Sequence, residues 1–193
     1  MDHRLQKRVL SLGDDPREFV SRLKIIDEKG QNRYFDNPFN EQVSAMDDFL
    51  SPAETIVHYK PRQIGDTTVA AAYNFQYLYW TPDPVRCLVV AHDYEATTSI
   101  FEKIRHYNES LPSLLRRDAS RSNRKEMIFS DSGAGFRCLT AGGRSEGRAW
   151  TYQRLHADEL AYWPSAEDVW ASITSTMHPG PHRKIIILST ANG

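Results

Sequence analysis

Cysteine is scarce in this chain, long apolar runs are missing, and neither sign of charge predominates. Each absence excludes a class of protein. The two cysteines, Cys87 and Cys138, sit in short apolar stretches. They are too few for a disulfide scaffold, so a reducing compartment such as a cytoplasm is the expected setting. No apolar run approaches the roughly 20 residues that a membrane helix needs, and the opening Met1-Asp2-His3-Arg4 is too polar for a signal peptide. Membrane and secreted readings are therefore dropped. Lys and Arg number 24 against 25 Asp and Glu, for a net charge of −1, which lacks the strongly basic signature of a dedicated nucleic-acid module while leaving room for a local patch. What is present is 193 residues, the length of one compact domain able to bury most of the surface its unfolded chain exposes.

The expected division is a charged, helical N-terminal segment over residues 1–36, packed on a single domain over 37–193. The stretch from Arg17 to Ile26 reads as one amphipathic helix. Asn37-Pro38-Phe39-Asn40-Glu41-Gln42 reads as a turn and helix start, with Val43, Met46, Phe49 and Leu50 at helical spacing and Ser51-Pro52 as the stop. Short β-rich runs then alternate with helices: a strand at 55–59, a helix at 67–80, a buried-type strand at 86–91 and a helix at 95–111. Met127 to Phe129 and Phe136 to Leu139 flank the turn-rich 130–135 and predict a hairpin. A strand near 153–157, a helix near 167–176 and a strand at 184–188 complete the chain. Such alternation predicts crossover units and a mostly parallel sheet between helices.

In open α/β sheets ligands bind at the carboxyl ends of strands. The first core strand is followed there by Lys60-Pro61-Arg62-Gln63-Ile64-Gly65-Asp66-Thr67-Thr68. A phosphate loop needs a glycine for close backbone approach, N–H groups ahead of a helix, a cation for the phosphates and a hydroxyl for Mg²⁺. Gly65, the helix start and Thr67 supply three of these. The cation is displaced: the usual pattern has Gly first and Lys seventh, whereas here Lys60 is first and Asp66 seventh. Lys60 and Arg62 both lie within side-chain reach of a bound phosphate. Asp66 must point away if ATP binds, because a carboxylate within about 4 Å of a phosphate costs on the order of several kcal/mol at an effective dielectric near 20. An ordinary strand-to-helix turn with solvated Lys and Arg explains the same residues.

The strand near 153–157 runs into Asp158-Glu159, an arrangement in which the first acid holds Mg²⁺ and the second polarises an attacking water. An acidic pair capping a helix is the plainer reading of that dipeptide. The last strand ends in Ser189-Thr190-Ala191-Asn192, polar groups where a γ-phosphate sensor would sit. The three segments occur in the chain order such a site requires.

Together the loop at 60–68, Asp158-Glu159 and Ser189-Thr190-Ala191-Asn192 resemble the ATPase domain of the large terminase subunit, the DNA-packaging motor of tailed bacteriophages, over the chain from about Phe39 to its end. The resemblance implies an α/β fold of the P-loop NTPase, ASCE type, with a mostly parallel central sheet flanked by helices on both faces. It implies Mg²⁺ and ATP as cofactors. The loop residues Lys60, Arg62, Gln63, Gly65, Asp66, Thr67 and Thr68 would bind nucleotide, with Gln42 reading adenine. Thr67 and Asp158 would hold the metal, Glu159 and Lys60 would be catalytic, and Ser189, Thr190 and Asn192 would couple hydrolysis to movement. An arginine finger is expected at Arg148, with Arg144 second, often supplied in trans. The implied partners are double-stranded DNA, a homo-oligomeric ring on the portal protein and the small terminase subunit, in the host cytoplasm, with no membrane. The family tolerates a basic residue early in the loop in place of the usual lysine. Its members continue into a nuclease domain, so a chain stopping at Gly193 is expected to be a motor domain without nuclease activity.

Other readings remain open on the residues alone. Arg116, Arg117, Arg121, Arg124 and Lys125 form a basic run that either touches a DNA backbone or is a solvated loop. Seven histidines show no tight metal-ligand spacing. Trp150, Tyr152, Tyr162, Trp163 and Trp170 read as packing. A helicase-type translocase fragment would share the loop and the acidic pair, and a nucleotide-binding module with catalysis impaired by Asp66 would share them as well.

Overall fold

The computed structural model describes residues 11–27, 29–61, 64–143 and 150–190. Helix α1 spans Pro16–Ser21. Asp15 caps it by accepting from the Arg17 and Glu18 N–H groups, and Pro16 fits the first helical position, where no N–H is needed. The helix expected as far as Ile26 stops here. Strand β1 (Lys24–Ile26) pairs antiparallel with β2 (Asn32–Tyr34). The β-branched Ile25 and Ile26 suit a pleated surface, and the Asp27 carboxylate closes the turn by accepting from the Lys29 and Gln31 N–H groups.

Helix α2 is Asn40–Leu50. Ala45, Met46 and Phe49 are buried, whereas Val43, expected on that apolar stripe, is 42% exposed on the outer face. The remaining elements are β3 (Thr55–Tyr59), α3 (Asp66–Trp80), β4 (Arg86–Ala91), α4 (Tyr94–Ser110), β5 (Ala119–Ser122), β6 (Glu126–Phe129), β7 (Gly135–Thr140), β8 (Arg154–Asp158), a 3-10 turn at Leu160–Tyr162, α5 (Ala166–Thr174) and β9 (Lys184–Ser189). Most bounds fall within a residue or two of the sequence reading. Strand β5 was not foreseen, since its four residues are polar or small and all exposed.

The central sheet has seven strands in the order β3-β9-β8-β4-β7-β6-β5. The first five run parallel, and β5 and β6 add an antiparallel arm at the β7 side. The crossover from β3 to β4 travels in one direction along this order and the one from β8 to β9 in the other. Right-handed crossovers of opposite sense place their helices on opposite faces. One face carries α2, α3 and α4 on a core that includes Phe49, Phe75, Leu78, Ile104, Val89 and Ile186. The other carries α5 and the 3-10 turn over Leu88, Val90, Leu155, Ile185 and Ile187. Helices thus flank both faces, as expected, but unequally. Among the described residues no helix is long and apolar enough to cross a membrane.

Candidate functional site

The C-terminal ends of β3, β8 and β9 lie side by side, so the residues that follow them meet. Register places Tyr59 beside Ser189 and Asp158 beside Leu188. Lys60 extends the β3 to β9 pairing by donating its N–H to the Ser189 carbonyl at 3.0 Å. Its backbone is therefore fixed by the sheet, and its ammonium, almost fully buried, donates to Glu159 Oε1 at 3.1 Å. Thr190 fills the other oxygen of that carboxylate, donating its N–H at 2.9 Å and its hydroxyl at 2.8 Å to Glu159 Oε2. Ser189 binds the turn after β8 by accepting the Ala161 N–H on its Oγ at 3.1 Å.

The α3 N-terminus points to the same place. Gly65 has φ +85°, and a Cβ there would collide with the Gln42 side-chain amide, so only glycine meets both demands. No side chain caps the helix, which leaves first-turn N–H groups and the positive end of its dipole turned outward, the ordinary basis of anion binding. The Thr67 hydroxyl donates to Asp158 Oδ1 at 2.7 Å. A hydroxyl beside a carboxylate is an oxygen-only donor set of the kind Mg²⁺ takes when phosphates and water complete its shell.

Asp158 is 5% exposed, on a strand buried throughout. Arg154 and His156 share its face, the one covered by α3, which explains why β8 reads as too polar for a central strand. Arg154 donates to Asn74 Oδ1 at 2.8 Å and lies over the Tyr77 ring at 3.9 Å, while His156 Nε2 sits 3.5 Å from Asp158 Oδ1. Burial opposes the charge of Asp158, yet His156, the Thr67 hydroxyl and the Lys60 charge together hold its carboxyl below the ordinary value. Burial likewise opposes Glu159, and the two Thr190 bonds and Lys60 outweigh it, so this carboxyl too lies below its usual range. Both are anionic at neutral pH. Glu159 also has φ 52° and ψ 49°, left-handed backbone that is costly for a side chain with a Cβ and that turns the carboxylate back over the strand ends.

Asp66, in the seventh loop position, turns away from this cluster. Its side chain is 2% exposed, and its Oδ2 lies 3.3 Å from Nδ1 of His58, whose Nε2 is 2.8 Å from Asp48 Oδ2. The condition set by the sequence, that this carboxylate face elsewhere, is met. Neither His58 nor the Gln42 to Gly65 contact was foreseen. The available signal for His58 was its alternation with the buried Ile56 on β3, which aims it at the helices. Gln42 is buried, accepts the Phe39 N–H on Oε1 at 3.1 Å, and borders a cavity of about 220 Å³ with Phe35, Pro38, Met46 and Val69. A cavity of about 560 Å³ lies elsewhere, between α5 and the sheet.

The structure thus brings together Lys60, Gly65, Thr67, Asp158, Glu159, Ser189 and Thr190, with Gln42 against the loop. Thr68 lies in the first turn of α3 behind them, its carbonyl accepting from the Tyr107 hydroxyl at 3.2 Å. Arg62, Gln63, Arg144, Arg148 and Asn192 lie outside the described residues. The basic run is partly committed to structure. Arg117 is 13% exposed and bonds the Leu78 carbonyl, Ser132 and the Asp131 carboxylate, and Arg121 pairs with Glu126 at 3.0 Å.

No family model matches the sequence. Among solved structures, the fold is similar to the large terminase of bacteriophage HK97, with a TM-score of 0.72 and 17% identity over 92% of this chain. The match spans 37% of the terminase chain, and at this identity it establishes likeness of fold.

Proposed function

We propose that this chain is an ATP-hydrolysing motor domain of a viral genome-packaging terminase, coupling Mg-ATP hydrolysis to movement of double-stranded DNA into a procapsid. The observation that carries the reading is the convergence of Lys60, Thr67, Asp158, Glu159 and Thr190, from four separate elements, in two adjoining hydrogen-bonded groups at the C-terminal ends of the parallel strands. The likeness in fold to a phage large terminase supports it.

In this reading the α3 N–H groups and Lys60 receive the ATP phosphates, so the cation comes from the strand end instead of the helix. Thr67 and Asp158 would hold Mg²⁺, which would supply positive charge to offset that of the phosphates. Glu159 orients the attacking water. With its carboxyl held below the usual range it is a weak proton acceptor, which suits phosphoryl transfer, where the transition state is loose and positioning and electrostatics dominate. At rest both its oxygens are engaged, one by Lys60 and one by Thr190. Drawing Lys60 toward a phosphate frees Oε1 for water, while Thr190 continues to report the position of the carboxylate to β9. Arg148, with Arg144 second, is the proposed arginine finger, donated between neighbours in a homo-oligomeric ring on the portal protein. The small terminase subunit and DNA are further proposed partners, and Gln42 is proposed to read adenine.

Mg-dependent ATP hydrolysis by the wild type beside Glu159→Gln and Lys60→Ala tests the reading. Expected are nucleotide binding without turnover for Glu159→Gln and loss of binding for Lys60→Ala. No nucleotide binding by the wild type would overturn it.

A further inference from the structure

We infer that His58, backed by Asp48, is a positioning residue for nucleotide binding: it holds the Asp66 carboxylate off the phosphates. The inference rests on the nucleotide reading above. Asp66 and Thr67 are consecutive residues of the first α3 turn, yet their side chains diverge. Thr67 turns to the centre of the sheet and meets Asp158 at 2.7 Å. Asp66 turns to the sheet edge and meets His58 at 3.3 Å.

Among the described residues that contact is the one polar side-chain partner of Asp66, since its buried Oδ1 has none. The His58 ring is fixed on three sides. It belongs to β3, its Nε2 lies 2.8 Å from Asp48 Oδ2, and it packs on Phe49 with centroids 5.2 Å apart. A buried carboxylate without a partner is costly. If His58 were removed, the Asp66 carboxylate would stand in the first turn at the α3 N-terminus without a polar side-chain partner among the described residues. A carboxylate there opposes any phosphate, at short range and partly shielded from water. One strand therefore supplies both halves of the arrangement: Lys60 provides the cation that the seventh loop position lacks, and His58, two residues earlier, restrains the acid that stands there instead.

The test is titration of the full chain with Mg-ADP and with a non-hydrolysable ATP analogue plus Mg²⁺, for wild type, His58→Gln, Asp48→Asn, Asp66→Asn and the His58→Gln/Asp66→Asn double variant, with thermal melting as a check on folding. His58→Gln should weaken binding by at least about tenfold, and Asp48→Asn, an exposed change that leaves the ring in place, by less. Asp66→Asn should bind at least as tightly as wild type. The double variant should recover to within about twofold of Asp66→Asn, because the charge being restrained is gone. A merely structural role for His58 would not be rescued in this way. Wild-type affinity in His58→Gln, or a double variant as weak as His58→Gln, overturns the inference alone. Failure of wild type and Asp66→Asn alike to bind nucleotide overturns the inference together with the nucleotide reading. Should His58→Gln not fold, Asp48→Asn with and without Asp66→Asn gives the same two-way outcome.

Discussion

The parallel end of the sheet and its antiparallel arm both bury charged side chains, and they use them in opposite ways. At the ends of β3, β8 and β9, Lys60 bonds Glu159 across 99 residues of sequence, and Asp158 beside them takes the Thr67 hydroxyl. In the nucleotide reading proposed above, the Lys60 bond is one that an incoming phosphate would replace. In the arm around β5 and β6, Arg117 is enclosed by fixed partners. Its guanidinium lies over the Phe129 ring at 4.3 Å, bonds the Leu78 and Tyr79 carbonyls, and is held by Asp131 and Ser132. The carbonyls and the Phe129 ring of that shell belong to the core and cannot be exchanged without opening it. The difference lies in the partners: Lys60 and Glu159 are held by side chains and backbone at the strand ends, whereas Arg117 is held chiefly by carbonyls and a ring that belong to the core.

The largest expected effect separates the two regions most cleanly. Glu159→Gln should lower ATP turnover by about 10²- to 10⁴-fold while leaving the melting temperature unchanged or raised, as steady-state hydrolysis and calorimetry would show. Equal losses of stability and turnover would break the comparison. Arg117→Ala should do the reverse, costing about 2–3 kcal/mol of unfolding free energy through orphaned carbonyls and lost packing, with the affinity of the surviving folded protein for Mg-ADP unchanged. Urea unfolding beside nucleotide titration measures both. Gly65→Ala sharpens the contrast by striking one position where backbone and site coincide. It forces a Cβ into left-handed backbone at about 1–2 kcal/mol and displaces Gln42, so stability and binding should fall together. The smallest effect belongs to the arm. Hydrogen bonding from Arg117 lowers the Asp131 carboxyl below its ordinary value. Its stabilisation is therefore present above that ordinary value and is lost as pH falls through the lowered one. Because Asp131 is largely exposed, solvent screening limits this to about a few tenths of a kcal/mol, visible as slightly reduced acid sensitivity of unfolding in Asp131→Asn.

Much of this was legible in the residues. β-branched runs such as Ile185 to Ile187 and the helical spacing of Ile100 and Ile104 mark elements whose burial is dictated by their own side chains, and the structure places them accordingly. The loop, the acidic pair and the terminal strand were found because each follows a strand, and parallel strands bring such ends together. What could not be read depends on distant neighbours. Ile25 and Ile26 continue a helical pattern but are taken by the β1 to β2 hairpin. β5 has no apolar face to announce it and exists as a partner to β6. Arg117 looks like any residue of a basic run until Asp131 and Phe129 are folded against it. His58 gains its meaning from Asp48 and Asp66, ten and eight residues away on different elements.

The unequal covering of the sheet has a kinetic consequence. Helix α5 has nine residues, none fully buried, and starts at Ser165 without a side-chain cap, whereas α3 has eleven buried positions. Local opening free energy follows such contact. Amide hydrogens of α5 should therefore exchange by frequent, shallow fluctuations, and those of α3 and β8 only in the rarest, global ones. The boundary between the two regimes falls in the few residues after Glu159, so frequent opening begins a short way beyond the carboxylate on which turnover would depend.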